Sequence, residues 1–146
     1  MTVLDIGNNI SVVQSLPPLT RTGSAAAFDG AAVDTKGATW AVAIFLNGNM
    51  DGSATLTYQV EESDASGGTY TVCDKVGSDA GAADAIVAAT TYADDTHVVI
   101  AVNCNNNKQF LRLVSTNSNT SAQDNAGVVI LMPNYTGDAD APSFDV

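Results

Sequence analysis

Basic residues are scarce in this chain. Five Lys and Arg stand against sixteen Asp and Glu, a net charge of -11. A surface so acidic repels phosphate backbones, so nucleic acid is not an expected partner. Reactive side chains are few as well: one histidine, His97, and two cysteines, Cys73 and Cys104, without CxxC spacing. Zinc requires three or four His, Cys or carboxylate ligands brought together, and three such His and Cys residues spread along the chain do not suggest a site. A hydrolytic triad requires a histidine held by a carboxylate beside a nucleophile. His97 alternates with Val98 and Ile100 in an apolar run, which turns it away from the core and toward solvent. No Gly-rich phosphate cradle is present. An enzyme is therefore not expected, nor is a cofactor. No run reaches the ~18 apolar residues of a membrane helix, and a basic leader followed by an apolar core is missing, so neither a membrane partner nor secretion is expected. In a reducing compartment the two cysteines would stay as thiols, with a disulfide between neighbouring strands as the alternative.

What the chain does have is a β vocabulary. Hydrophobic residues make up 45% and charged residues only 14%, so the polar surface must come from Thr, Ser, Asn and Gly. Residues 39–47 carry Trp40, Val42, Ile44 and Leu46 on one face and Ala41, Ala43 and Phe45 on the other, the pattern of a central strand. Residues 54–61 alternate, with Leu56, Tyr58 and Val60 opposite Thr55, Thr57, Gln59 and Glu61, the pattern of a half-buried strand. Further strands are predicted over 69–74, 96–102, 109–115 and 127–132, with a short one at Ala32-Val33-Asp34 before Gly37. Residues 77–93, rich in Ala, Gly and Asp, read as irregular. No internal repeat is evident, which sets aside solenoids and propellers. The expected fold is all-β: an antiparallel β-sandwich of jelly-roll type with an extended N-terminal arm.

The expected organisation is an arm over residues 1–23, a sandwich over 24–134 and an acidic tail over 135–146. Pro17-Pro18 implies a stiff break after the arm. Seven apolar side chains precede it: Val3, Leu4, Ile6, Ile10, Val12, Val13 and Leu16. Such residues either form an intramolecular strand or bury against a partner, and they are the candidate subunit or shell interface. Carboxylate clusters offer less. Glu61 and Glu62 are neighbours, which puts them on opposite faces of a strand. Asp64, Ser66 and Gly68 loosely echo a calcium loop but lack its closing glutamate, while Asp94-Asp95 and the pair Asp138 and Asp140 read as solvated surface.

Four pieces in order carry a family resemblance: Ala32-Val33-Asp34 with Gly37, Gln59-Val60-Glu61-Glu62-Ser63-Asp64, Gly68-Thr69-Tyr70-Thr71-Val72, and Lys108-Gln109-Phe110-Leu111-Arg112-Leu113. A hydrophobic strand, Val128-Val129-Ile130-Leu131, closes the series. Over about three quarters of its length the chain resembles the small all-β head decoration, or cement, proteins of tailed bacteriophages. Gln109 and Phe110 depart from that pattern, where a basic residue and a tyrosine are more usual. The resemblance implies a structural virion protein on the outer capsid surface, assembled in the host cytoplasm. Its expected partners are the major capsid protein and its own copies, as a homotrimer. A cross-strand pair between Glu61 and Arg112 is expected on physical grounds. The alternative reading is a receptor- or glycan-binding sandwich of a tail fibre or adhesin, using Tyr92 beside Asp94-Asp95 or Tyr135 near Asp138. An aromatic content of 6% makes such a platform sparse.

Overall fold

The structure is a computed structural model that describes residues 10–22, 27–50, 55–73, 85–90, 94–118 and 122–133. Among these residues there is no helix. The strands are β1 (Ser11–Arg21), β2 (Ala27–Asp29), β3 (Val33–Asp34), β4 (Ala38–Met50), β5 (Leu56–Ser63), β6 (Thr71–Val72), β7 (Ile86–Thr90), β8 (His97–Asn103), β9 (Phe110–Asn117) and β10 (Gln123–Pro133). They form two sheets. Sheet A has the order β1-β10-β4-β8; sheet B has the order β2-β9-β5-β6, with β3 also on β9 and β7 also on β5. Every pairing is antiparallel.

Short strands β2 and β3 share one side of β9, and β6 and β7 share one side of β5. Each pair thus occupies one strand position, leaving eight positions among the described residues. The chain passes from sheet A to B at β1/β2, back to A at β4, to B at β5 through β7, and then alternates A, B, A through β8, β9 and β10. That path is a jelly roll, the expected architecture.

The core lies between the sheets. Sheet A contributes Leu16, Ala41, Ala43, Phe45, Ile100, Val102 and Val129; sheet B contributes Val33, Leu56, Tyr58, Val60, Leu111 and Leu113. Small alanines on β4 face the larger residues of the opposite layer, and the Phe45 and Tyr58 rings stack with centroids 4.4 Å apart. Gly127 on β10 serves the same fit. A methyl group there would sit 2.6 Å from Leu113 Cδ1 and 3.3 Å from Leu16 Cβ, so the bare backbone lets both leucines close over the strand.

Residues 11–21 correct the expectation of a separate arm. They form an edge strand of sheet A, hydrogen-bonded to β10 from Ser11↔Leu131 to Arg21↔Gln123, with register shifts between Gln14 and Leu16 and between Leu16 and Leu19. Leu16 is fully buried, and Val13 packs against the core. The prolines do not break this strand because they lie exposed on the sheet edge, beside the second register shift, where a missing N–H costs no ladder bond. Ser15 fastens β1 across the sandwich. Its Oγ donates to Ala31 O at 2.8 Å and accepts from the Leu113 N–H at 3.1 Å, while the Ala31 N–H donates to Ser15 O at 2.8 Å. Gly30 lies against this clasp, where an added methyl would come within 2.4 Å of Ser15 Oγ and 2.8 Å of Leu113 O.

A second correction concerns residues 77–93. Ile86–Thr90 is β7, paired to β5 through Tyr58↔Val87 and Gln59↔Ile86. Val3, Leu4, Ile6 and the acidic tail lie outside the described residues.

Two outcomes test this architecture. Gly30→Ala should destabilise the domain by about 1–3 kcal/mol, because the obstacle is backbone as well as the Ser15 hydroxyl, and a urea titration would register it. Deleting residues 1–16 should abolish the cooperative thermal transition, since Leu16 alone accounts for about 2–5 kcal/mol when truncated to Ala. Retention of the full-length Tm by that deletion would show β1 to be dispensable.

Candidate functional site

The outer faces of the two sheets differ. On sheet B, the side chains that point away from the core include Thr57, Gln59 and Glu61 of β5 and Arg112 and Thr116 of β9. Arg112 organises them. Its Nη2 lies 2.6 Å from Glu61 Oε2 and its Nη1 lies 2.8 Å from Asp29 Oδ2; its guanidinium stands 4.4 Å from the Tyr70 ring centroid. Glu61 Oε1 in turn accepts from Gln59 Nε2 at 2.5 Å. The cross-strand register is Glu61↔Arg112, the expected pair. At the end of β5, Lys108 Nζ is 3.7 Å from Asp64, so the carboxylate that headed the calcium-like loop has a cation beside it.

Sheet A has the opposite character. Because Ala41, Ala43 and Phe45 point inward, Trp40, Val42, Ile44 and Leu46 point out; on β10 the outward set is Ala126, Val128, Ile130 and Met132. The register aligns these across the sheet. One row runs Val12, Ile130, Val42, Ala101; the next runs Gln14, Val128, Ile44, Val99. Ala126, Leu46 and His97 form a third row, and Met132, Trp40 and Asn103 a fourth. Val12 is 64% exposed and Val99 53% exposed at the two edges. The face is a carpet of aliphatic side chains roughly 20 Å by 20 Å, from four strands about 4.8 Å apart and six residue steps of about 3.3 Å. Among its described residues only Asp124, at one end, carries a formal charge, and its Oδ1 accepts from Thr20 Oγ1 at 2.5 Å. There the face runs into a shallow groove between Pro18–Thr20 and Leu46–Gly48, floored by Asp124, Asn125 and Ala126. A contiguous apolar patch of this size matches the largest that a monomer ordinarily exposes, and such patches are often functional.

The expected interface residues divide. Val12 joins the exposed carpet, Val13 and Leu16 belong to the core, and Ile10 is half-buried just ahead of β1. Val13 and Leu16 are thus withdrawn from the interface, because the pleat and the bulge turn them inward. Residues that reasoning from the arm alone passed over are Val42, Ile44, Leu46, Val99, Val128 and Ile130. Their signal was present in the doubly apolar pattern of 39–47 and in the continuous apolar run of 128–131.

His97 is exposed at the rim of the carpet, opposite Leu46. Asp94 accepts from the Met50 N–H at 2.7 Å, and Asp95 occupies a left-handed turn position at φ 57°. Tyr92, Tyr135, Asp138 and Asp140 lie outside the described residues. Neither Cys73 nor Cys104 is in a disulfide. Cys73 is buried, with Sγ 3.3 Å from Val60 O. Burial pushes the Cys104 thiol up to about 11, partly countered by a hydrogen bond with Thr35.

The interior also holds a polar chain at the groove end. Tyr58 Oη donates to Asn47 Oδ1, and Asn47 Nδ2 donates to Thr96 Oγ1 at 3.0 Å. Arg21 Nε donates to Asn125 Oδ1 at 2.5 Å, Asn125 Nδ2 donates to Ser115 Oγ at 3.1 Å, and Arg21 Nη2 reaches Pro17 O at 2.8 Å. Burial lowers the Arg21 pKa. Its guanidinium stacks over Phe28 at 5.1 Å. These groups join β1, β10, β4, β5 and β9 below the groove.

No protein-family model matches the sequence, and no curated protein is similar to it in sequence. Among solved structures, the fold is similar to a chain of infectious bursal disease virus, Gx strain, with a TM-score of 0.49 and 10% identity over 85% of this chain. The protein spans about a third, 32%, of that viral chain. It is also similar to a chain of the Bacillus endospore appendages, described as disulfide-linked pili, with a TM-score of 0.40 and 12% identity over 91% of this chain and 96% of the other.

Three measurements bear on this geometry. Native protein at pH 8 should react slowly with iodoacetamide at both thiols and rapidly once unfolded, because Cys73 is buried out of reach and the Cys104 thiol is held neutral by burial. The sign of the linkage is fixed: the folded Cys104 value lies above its ordinary 9, so stability should fall as pH rises between about 9 and about 11. Replacing Arg21 with Ala should cost about 1–3 kcal/mol in chemical denaturation, because Asn125 Oδ1 loses its donor in a buried place.

Proposed function

We propose that the protein is a structural virion component that sits on the outer surface of a tailed-phage head and stabilises the shell without catalysing a reaction. The observation that supports this reading most is the contrast between the two outer faces of the jelly roll: one is charged, ion-paired and suited to water, and the other is apolar and nearly free of charge. A protein that works by being held in an assembly needs one face that is covered, by the shell or by another copy, and one that meets solvent. The ordered sequence resemblance to head decoration proteins points the same way. In this reading the partners are the major capsid protein and other copies of the chain, and the N-terminal residues Val3, Leu4 and Ile6 are the candidate contact with the shell.

The mechanism is mass action. A protein that binds only the assembled shell stabilises it by RT ln(1 + [L]/Kd), about 2.7 kcal/mol per site at a hundredfold excess over Kd. Many sites on one particle add their contributions, and the acidic outer surface keeps decorated particles apart in solution.

Undecorated heads mixed with the purified full chain should pellet it in saturable amounts, and the decorated heads should release their DNA at a higher temperature than bare ones. Protein that stays in the supernatant at every ratio, with head stability unchanged, would reject this reading.

A further inference from the structure

We propose that the occupant of the sheet A face is a second copy of this chain, packed face to face through its own sheet A. The face is apolar over most of its area and almost without charge, so its partner must also be apolar and uncharged there: a polar partner would leave its donors and acceptors unpaired against apolar side chains. The chain itself presents such a surface. Two sheets stacked in this way interdigitate at about 10 Å, the packing the protein already uses between sheets A and B.

Charge decides the orientation. Each copy carries a net charge of -11 and would repel another wherever acidic groups meet. Contact through sheet B would bring Asp29 and Glu61 of one copy against the same residues of the next, across a face whose cation, Arg112, is already engaged by both. Contact through sheet A instead puts the two outer B faces three sheet spacings apart, about 30 Å. That is several times the Debye length of about 8 Å at physiological ionic strength, so the repulsion between those faces is screened.

The area sets the strength. A carpet of roughly 400 Å² in projection is less than the approximately 800 Å² per partner of a standard specific interface, even after side-chain relief is added. The association is therefore weak and reversible in free solution. It strengthens with added salt, which screens the remaining repulsion and leaves aliphatic contact intact.

Sedimentation velocity on the full chain tests this without any shell present. From about 10 μM to about 1 mM protein, the wild type should move from monomer toward a larger species, and more so in about 0.5 M than in about 0.05 M salt. Val99→Lys and Leu46→Lys, both at exposed positions, should weaken association at least about tenfold. Thr116→Lys on the outer face of sheet B adds the same charge and should leave association at or above the wild-type level. Circular dichroism melts identify any variant that fails to fold, and the other carpet variant then decides. A species of 14.9 kDa at every concentration and salt would overturn the proposal. So would association that both lysine variants retain. If the wild type stays monomeric while Val99→Lys loses binding to heads, the shell protein occupies the face, and this inference fails while the proposed function stands.

Discussion

Sheet A depends on its last strand. β10 lies between β1 and β4 and hydrogen-bonds to both along nearly its whole length, so the first and fourth strands meet only through it. Its two faces do different work. Inward, Gly127 admits Leu16 and Leu113, Val129 joins the core, and Asn125 links Arg21 to Ser115. Outward, Val128 and Ile130 form the middle of the apolar carpet. Remove this strand and β1 has no sheet, the carpet loses its centre, and the buried Arg21 loses its acceptor. In a jelly roll such dependence follows from topology: neighbouring positions in a sheet come from distant parts of the chain.

The contrast between the two outer faces rests on the same alternation. In each strand every second side chain is fixed by the core, and the sequence is free only in what it sets on the other side. Sheet B uses that freedom for Thr, Gln and the Arg112 cluster. The Arg112–Glu61 pair is largely shielded from water, its side chains 22% and 12% exposed, so desolvation offsets much of its attraction and the cluster fixes a defined surface more than it adds stability. Sheet A uses it for Val, Ile and Leu, which gain nothing from facing water. The described residues of the monomer leave these side chains uncovered, and a covered face would account for the choice.

Much of this was legible in the chain because strand burial has a period of two. The pattern of Leu56, Tyr58 and Val60 placed β5 with one face inward, and the pattern of Val98, Ile100 and Val102 did the same for β8 and turned His97 outward. The doubly apolar run from Trp40 to Leu46 marked a central strand, and β4 lies between β10 and β8. Other features were hidden for physical reasons. Pro17-Pro18 looked like a break, but an edge strand leaves some N–H positions unused and tolerates proline there. β7 lacked a signal because Ala-rich segments have weak strand preference; its pairing to β5 comes from tertiary context. The polar chain through Asn47, Asn125 and Arg21 reads in sequence as ordinary turn and strand-end chemistry. Only the fold brings these groups into one buried row. The candidate surface was visible in part: the apolar pattern was plain, but which apolar residues face out follows from the register.

The position of β10 also has a meaning for synthesis. A nascent chain carries β1, β4 and β8 out of the ribosome with their apolar edges and faces unmatched, and β1 cannot join β4 until residues 123–133 have emerged. During that interval the apolar rows of neighbouring chains stand open to one another, and the net charge of -11, present on the unfolded chain as well, opposes their coalescence.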